Sequence, residues 1–163
     1  MENIEVFTRI RTWTYLVLLL AITVVGVQPT PAERTQLVVG QTIYVPVYSH
    51  VYFRDKSRYL LAVTLSIRNT DLNHAIMIHS VQYYDTAGQL VQAYLSEPLR
   101  LAPLASTDFV VAQRDQVGGS GANFIVEWQA KQPVNAPILE AVMVGTMGTQ
   151  GISFVSPGRV ISK

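Results

Sequence analysis

The stretch "RDQVGGSGANFIVEW" (114–128) holds the residues whose types come nearest to chemistry: Gly118, Gly119, Ser120 and Gly121, set between an acidic residue and an apolar run. A phosphate loop needs a strand before it, a helix after it, and a Lys followed by Ser or Thr. Here no Lys follows until Lys131, and "ANFIVEW" has the composition of a strand, so the helix N-terminus that would take a phosphate is missing. A nucleophile elbow sets its serine on a sharp strand-to-helix turn. Ser120 has small residues on both sides, but the order is strand, loop, strand. Nothing fixes His50, His74 or His79 beside it. The stretch is therefore expected to be a glycine-rich hairpin loop, with Gly supplying positive φ. Its tip, Gly118 to Gly121, is a candidate ligand contact, because loops on rigid scaffolds carry function. A small envelope hydrolase using Ser120, with His79 as base, is the alternative.

The remaining polar residues offer less. His74 and His79 are five apart and would fall on opposite faces if both lay in one strand. His74 reads rather as a loop residue with His79 on a strand face, so no metal ligands and no cofactor are expected. Asp108, Asp115, Glu127 and Glu140 lie in separate runs, and paired-carboxylate hydrolysis needs two of them to converge. Tyr44, Tyr48 and Tyr52 alternate along "TIYVPVYSHVYF" (42–53) and would share one strand face. They are candidate contacts for a protein or carbohydrate partner, since Tyr is favoured at interfaces. Packing inside a sandwich uses the same residues. "FRDKSRY" (53–59) puts Arg54, Lys56 and Arg58 beside them, as a solvated loop or as a contact for anionic headgroups.

Positioning these groups falls to strands. Period-two patterns recur in eight runs: 42–53, 60–69, 75–85, 90–95, 107–113, 123–130, 138–145 and 152–156. In 60–69, Leu61, Val63, Leu65 and Ile67 alternate with polar or small residues. "NTDLN" (69–73) and "DTAG" (85–88) carry turn chemistry, with Gly88 where positive φ is wanted. Pro46 removes a ladder donor, which predicts an edge strand or a neighbouring bulge. Short strands at regular spacing predict an all-β fold: an immunoglobulin-like antiparallel β-sandwich of about seven to eight strands. One N-terminal hydrophobic helix precedes it.

That helix is expected over "WTYLVLLLAITVVGV" (13–27), behind Arg9 and Arg11. At 1.5 Å per residue it spans roughly 22 Å, short of the roughly 30 Å hydrocarbon core. Thr30 and Ala32 suit cleavage before Glu33, so residues 1–32 read as a signal peptide, with an uncleaved single-pass anchor as the alternative. The basic residues place the N-terminus in the cytoplasm and residues 33–163 outside it. Residues 33–39 form a linker, and 40–163 the sandwich.

Composition narrows the function. The chain has 163 residues, 14% charged, with net charge +1 and no run of Lys or Arg longer than one residue, which argues against nucleic-acid binding. It has no cysteine, which removes disulfides, thiolate metal sites and cysteine nucleophiles.

Taken in order, "GQTIYVPVYSHVYF", "LAVTLSIRNTD", "VQYYDTAGQLVQAYL", "LAPLASTDFVV", "GGSGANFIVEW" and "EAVMVGT…QGISFVSPGRVI" resemble an uncharacterised bacterial family, the domain of unknown function numbered 3124, over about residues 40–161. The resemblance transfers no catalytic residue. The expectation is a non-enzymatic extracytoplasmic binding or structural module of the cell envelope, with an envelope protein or carbohydrate as partner. Residues 13–27 would hold it in the membrane if uncleaved.

Overall fold

Alternating burial decides the architecture. In the computed structural model, which describes residues 36–162, every regular element is a strand. In chain order they are β1 (Val38–Pro46), β2 (His50–Phe53), β3 (Ser57–Leu60), β4 (Ala62–Arg68), β5 (Ile76–Tyr84) and β6 (Leu90–Ala93). Then come β7 (Leu99–Leu101), β8 (Ser106–Val111), β9 (Asn123–Val134), β10 (Ile138–Met147), β11 (Gln150–Pro157) and β12 (Arg159–Ser162). Among the described residues no helix is long and apolar enough to cross a membrane. The helix expected over 13–27 and the cleavage point after Ala32 lie outside the described residues.

All pairings are antiparallel. One sheet has six strands, in the order β12-β1-β9-β5-β6, with β7 also paired to β5. A second has four, in the order β11-β10-β4-β8, and β2–β3 is a separate hairpin. The inward residues of both sheets belong to one core. Val63, Leu65 and Ile67 of β4, as the alternation predicts, join Phe124, Val126 and Trp128 of β9 there. Each fully buried side chain of this size adds roughly 1.5–3 kcal/mol over leaving it in water.

The crossed pairing of β4 with β8 and of β5 with β9 matches the B–E and C–F pairings of an immunoglobulin domain. The flanking strands differ. An immunoglobulin domain sets its first strand beside B and its last beside F. Here β1 lies beside β9, and β10 lies beside β4.

Two local expectations are corrected, and the one for Pro46 is met in one of its alternatives. The run 42–53 is two strands rather than one. Ser49 and His50 are both buried, so the alternation slips there. The Ser49 amide donates to Gly119 O, and Ser49 O accepts from the Leu61 amide, which turns the chain away from β9. Tyr44 and Tyr52 therefore lie on different strands, with Tyr48 between them. Second, β1 is an inner strand along most of its length, and it meets the other alternative that Pro46 allowed, since it starts beside the register shift between Val38 and Gly40. The Val47 amide bonds back to Ala122 O, so the missing N–H of Pro46 points to the opposite side. On that side β12 reaches only to Arg159, opposite Tyr44, so no partner strand stands beside Pro46. Third, the glycine-rich loop is not a hairpin. It carries the chain from β8 in one sheet to β9 in the other.

The predicted turns are present. Asn69 Oδ1 accepts from the Asp71 amide, and Asp71 Oδ1 accepts from the amides of Asn73 and His74. Gly88 has φ +77° after Asp85, whose Oδ1 accepts from Ala87 and Gln89.

Candidate functional site

The outer face of the six-stranded sheet is not flat, and the cause lies in two pairings of β9. Along β5, Ile78 pairs with Trp128 and Ser80 with Glu127, so His79 is an extra residue. Along β1, Val38 pairs with Val134 but Gly40 pairs with Gln129, so β9 carries extra residues over 130–133. Pro133 falls in that excursion. The two irregularities follow one another along β9, at 127–128 in its middle and over 130–133 toward its C-terminal end. Bulges of this kind bend a strand and re-aim side chains, and they are over-represented beside active sites.

Two troughs of about 600 Å³ each open there, sharing His79, Gln129 and Ala130. Gly40, Thr42 and Glu127 line the first. A Cβ on Gly40 would stand 2.9 Å from Trp128 O and 3.0 Å from Gln129 Cγ, so glycine allows the close approach of β1 to β9. Gln41 and Trp128 pair across the two strands, and their side chains lie on the core side of the sheet, in step with Ile43 and Val126, not on the trough side. Both are buried, and Gln41 Oε1 and Trp128 Nε1 have no hydrogen-bond partner among the described residues. One is an acceptor and the other a donor, and an unmatched buried group costs about 1–3 kcal/mol. The second trough is lined by His74, Met77, Arg100, Lys131 and Gln132, among others.

A polar cluster holds the wall at His74. Asp71 Oδ1 also lies 3.0 Å from His74 Nδ1, and Oδ2 accepts from the Asn135 amide. Bonds from the Asn73, Asn135 and His74 amides, with the nearby imidazole, hold the Asp71 carboxyl down at about 2, against the opposing pull of burial. Asn69 Nδ2 donates to the carbonyls of His74, Leu101 and Ala102, and Thr70 Oγ1 donates to Ala136 O. These bonds tie the β4–β5 turn to β7 and to the β9–β10 connection.

The residues singled out in the sequence are spread over the molecule. Tyr44 is half-buried on β1 opposite Ile125. Tyr48 packs edge-on against Phe154, with ring centroids 5.8 Å apart. Tyr52 is exposed on β2, against the His50 ring. The loop 118–121 is tied down. Gly118 O accepts from the Thr86 amide and hydroxyl, and the Gly121 amide donates to Thr86 Oγ1. Gly119 O accepts from both the amide and the hydroxyl of Ser49. A Cβ on Gly118 would lie 1.8 Å from the Tyr83 hydroxyl, so Tyr83 occupies the space a side chain would need. Burial, then Asp115, Tyr94 and Asp85, push the Tyr83 phenol up to about 12.

Ser120 is half-buried and makes no hydrogen bond to a histidine among the described residues. The serine next to an imidazole is Ser49, whose Oγ lies 3.2 Å from His50 Nδ1. Because that hydroxyl donates to Gly119 O, the Nδ1–H of His50 donates to Ser49 Oγ. Burial, then Arg58, lowers the His50 pKa and favours the neutral ring. Among the described residues no three His, Asp or Glu side chains gather as a metal site would require.

The trough residues Gly40, Thr42, Gln129, Arg100 and Lys131 were not predicted, and His79 and Glu127 were noted only for other roles. Two signals were present. Gly40 interrupts a strand run, which often marks a close backbone approach. Pro133 follows the strand-like run at 123–130, where a proline demands an edge or a bulge.

The family described as "Protein of unknown function (DUF3124)" matches residues 40–161, and the chain belongs to it. No curated protein matches the chain. Among solved structures, the crystal structure of Thermotoga maritima 1070 is similar, with 10% sequence identity and a TM-score of 0.44, over 73% of this chain and 92% of that one. A likeness of that size carries no argument about fold or function.

Proposed function

We propose that this DUF3124 domain is a non-enzymatic binding module of the cell envelope, and that it takes its ligand in the paired troughs on the six-stranded sheet. The fold is read as a β-sandwich around the crossed β4–β8 and β5–β9 core that immunoglobulin-like domains also have. The observation that carries the binding reading is the close succession of two pairing irregularities along β9, at 127–128 and over 130–133. They open adjoining troughs with a mixed polar and apolar lining, among it Thr42, Glu127, Gln129, His79 and Met77. Binding sites combine a preformed concavity with a few placed polar groups. The envelope location rests on Arg9, Arg11, the apolar run 13–27 and Ala32. The ligand is then an envelope protein or carbohydrate, met outside the cytoplasm by a domain either tethered through residues 13–27 or released after Ala32.

The test uses the full-length protein in neutral detergent. Envelope glycan and envelope protein fractions are added, and the thermal midpoint is followed. Gln129→Trp fills the shared part of the troughs from an exposed position. A fraction that raises the midpoint of the wild type but not of Gln129→Trp is expected. Equal stabilisation of both, or stabilisation by no fraction, overturns the proposal.

A further inference from the structure

The second trough is basic. Arg100 on β7 and Gln129 on β9 flank Met77 of β5 from opposite sides, each paired with it in register. Neighbouring strands lie about 4.8 Å apart, so the backbones of Arg100 and Gln129 stand roughly 10 Å apart with Met77 as the floor between them. Lys131 stands at the start of the β9 excursion, two residues beyond Gln129, and is exposed. His74 and His79 complete this wall.

No Asp or Glu lines this trough. The ion pairs among the described residues are Arg68–Glu140 and His74–Asp71, so neither Arg100 nor Lys131 is neutralised there. Asp71, the acid behind His74, has both oxygens engaged by the Asn73, His74 and Asn135 amides. Glu127 lines the other trough and not this one. Two unpaired cations over an apolar floor, with amide donors beside them, form a site of one sign.

We infer, resting on the binding reading above, that the group this second trough takes is an oxyanion, a carboxylate or phosphate carried by the ligand. Arg100 supplies a planar fork that can meet two oxygens at once, and Lys131 supplies a mobile point charge. Gln129 and Gln132 can donate to the oxygens that remain. Exposed cations act through water, so the attraction is screened over about 8 Å at physiological salt. Binding at this trough therefore weakens as salt rises.

The experiment titrates the full-length protein with citrate and, separately, with inorganic phosphate at constant ionic strength, read by NMR. Saturable shifts at Met77, Arg100, Gln129 and Lys131 with at least one anion are expected, and the tighter of the two identifies the source. Arg100→Gln with Lys131→Gln should weaken that anion about tenfold or more, a change of about 1.4 kcal/mol. Arg159→Gln, on β12 and outside the trough, should leave it unchanged. Absence of a saturable shift with either anion, or a double variant within about twofold of wild type, overturns the inference. The envelope fraction separates the two proposals. If it stabilises the double variant fully but not Gln129→Trp, the trough binds a ligand that is not held by its anion. If it stabilises both, the trough itself is not the site.

Discussion

The outer faces of the two sheets are built differently. In the four-stranded sheet β11–β10, β10–β4 and β4–β8 pair without a register shift. One outer row runs Val155, Val142, Thr64, Val110, each residue opposite the next. In the six-stranded sheet β1–β12, β1–β9, β5–β6 and β5–β9 all shift. A regular pleat repeats one surface at every step, whereas an extra residue bends the strand and leaves backbone and side chains out of line. Both sheets bury the same core, so the shifts add nothing that the core requires. What they add is concavity with mixed polar lining, and the regular sheet marks the scaffold against which that concavity stands out.

Substitutions should separate the two faces. The largest effect belongs to the regular sheet: Leu65→Ala, in the middle of β4 and fully buried, should cost roughly 2–5 kcal/mol. Urea unfolding measures it, and the trough ligand should still bind what remains folded. Next comes Gly118→Ala, at the connection between the sheets. Its methyl meets Tyr83, which is itself buried against Phe124 with ring centroids 5.1 Å apart and has little room to move. A loss of about 1–3 kcal/mol by the same measurement is expected.

The Asp71 cluster should show itself in acid. Its folded pKa of about 2 lies below the usual 3.8. Its contribution is therefore fully present above the usual value and is lost as pH falls through the folded one. The wild-type thermal midpoint should drop steeply between about pH 4 and pH 2. Asp71→Asn should begin lower at neutral pH, because its amide would turn a donor toward backbone N–H groups. It should also lose less over that window, and a parallel profile would count against the assignment. The smallest effect is expected on the regular outer face. Val110→Thr, exposed on β8, should change stability by no more than about 0.5 kcal/mol and leave ligand binding untouched.

The sequence made one class of feature legible and hid another. Alternation along 60–69, 107–113 and 138–145 predicts β4, β8 and β10, because a strand with one buried face writes its facing into its own residues. Asn69, Asp71 and Gly88 announce their turns because those bonds close within a few residues. Register belongs to a pair of strands, and no single run records it. The troughs therefore draw on Gly40, His79, Arg100 and Gln129, four residues far apart in the chain and brought together only by pairing. For the same reason Gly118 to Gly121 looked like a hairpin. The loop is short and glycine-rich, but the strand after it pairs with β1 and β5 rather than with β8.

Deleting His79 tests the link between bulge and binding most directly. Ile78 opposite Trp128 would then be followed at once by Ser80 opposite Glu127, and Ile78 and Val81 would keep their inward facing. The deletion variant should retain its strand signal in circular dichroism and melt cooperatively. The rise in midpoint given by the stabilising envelope fraction should vanish. A deletion variant that folds and is stabilised as fully as the wild type would contradict the claim that the irregular pairing of β9 makes the binding site.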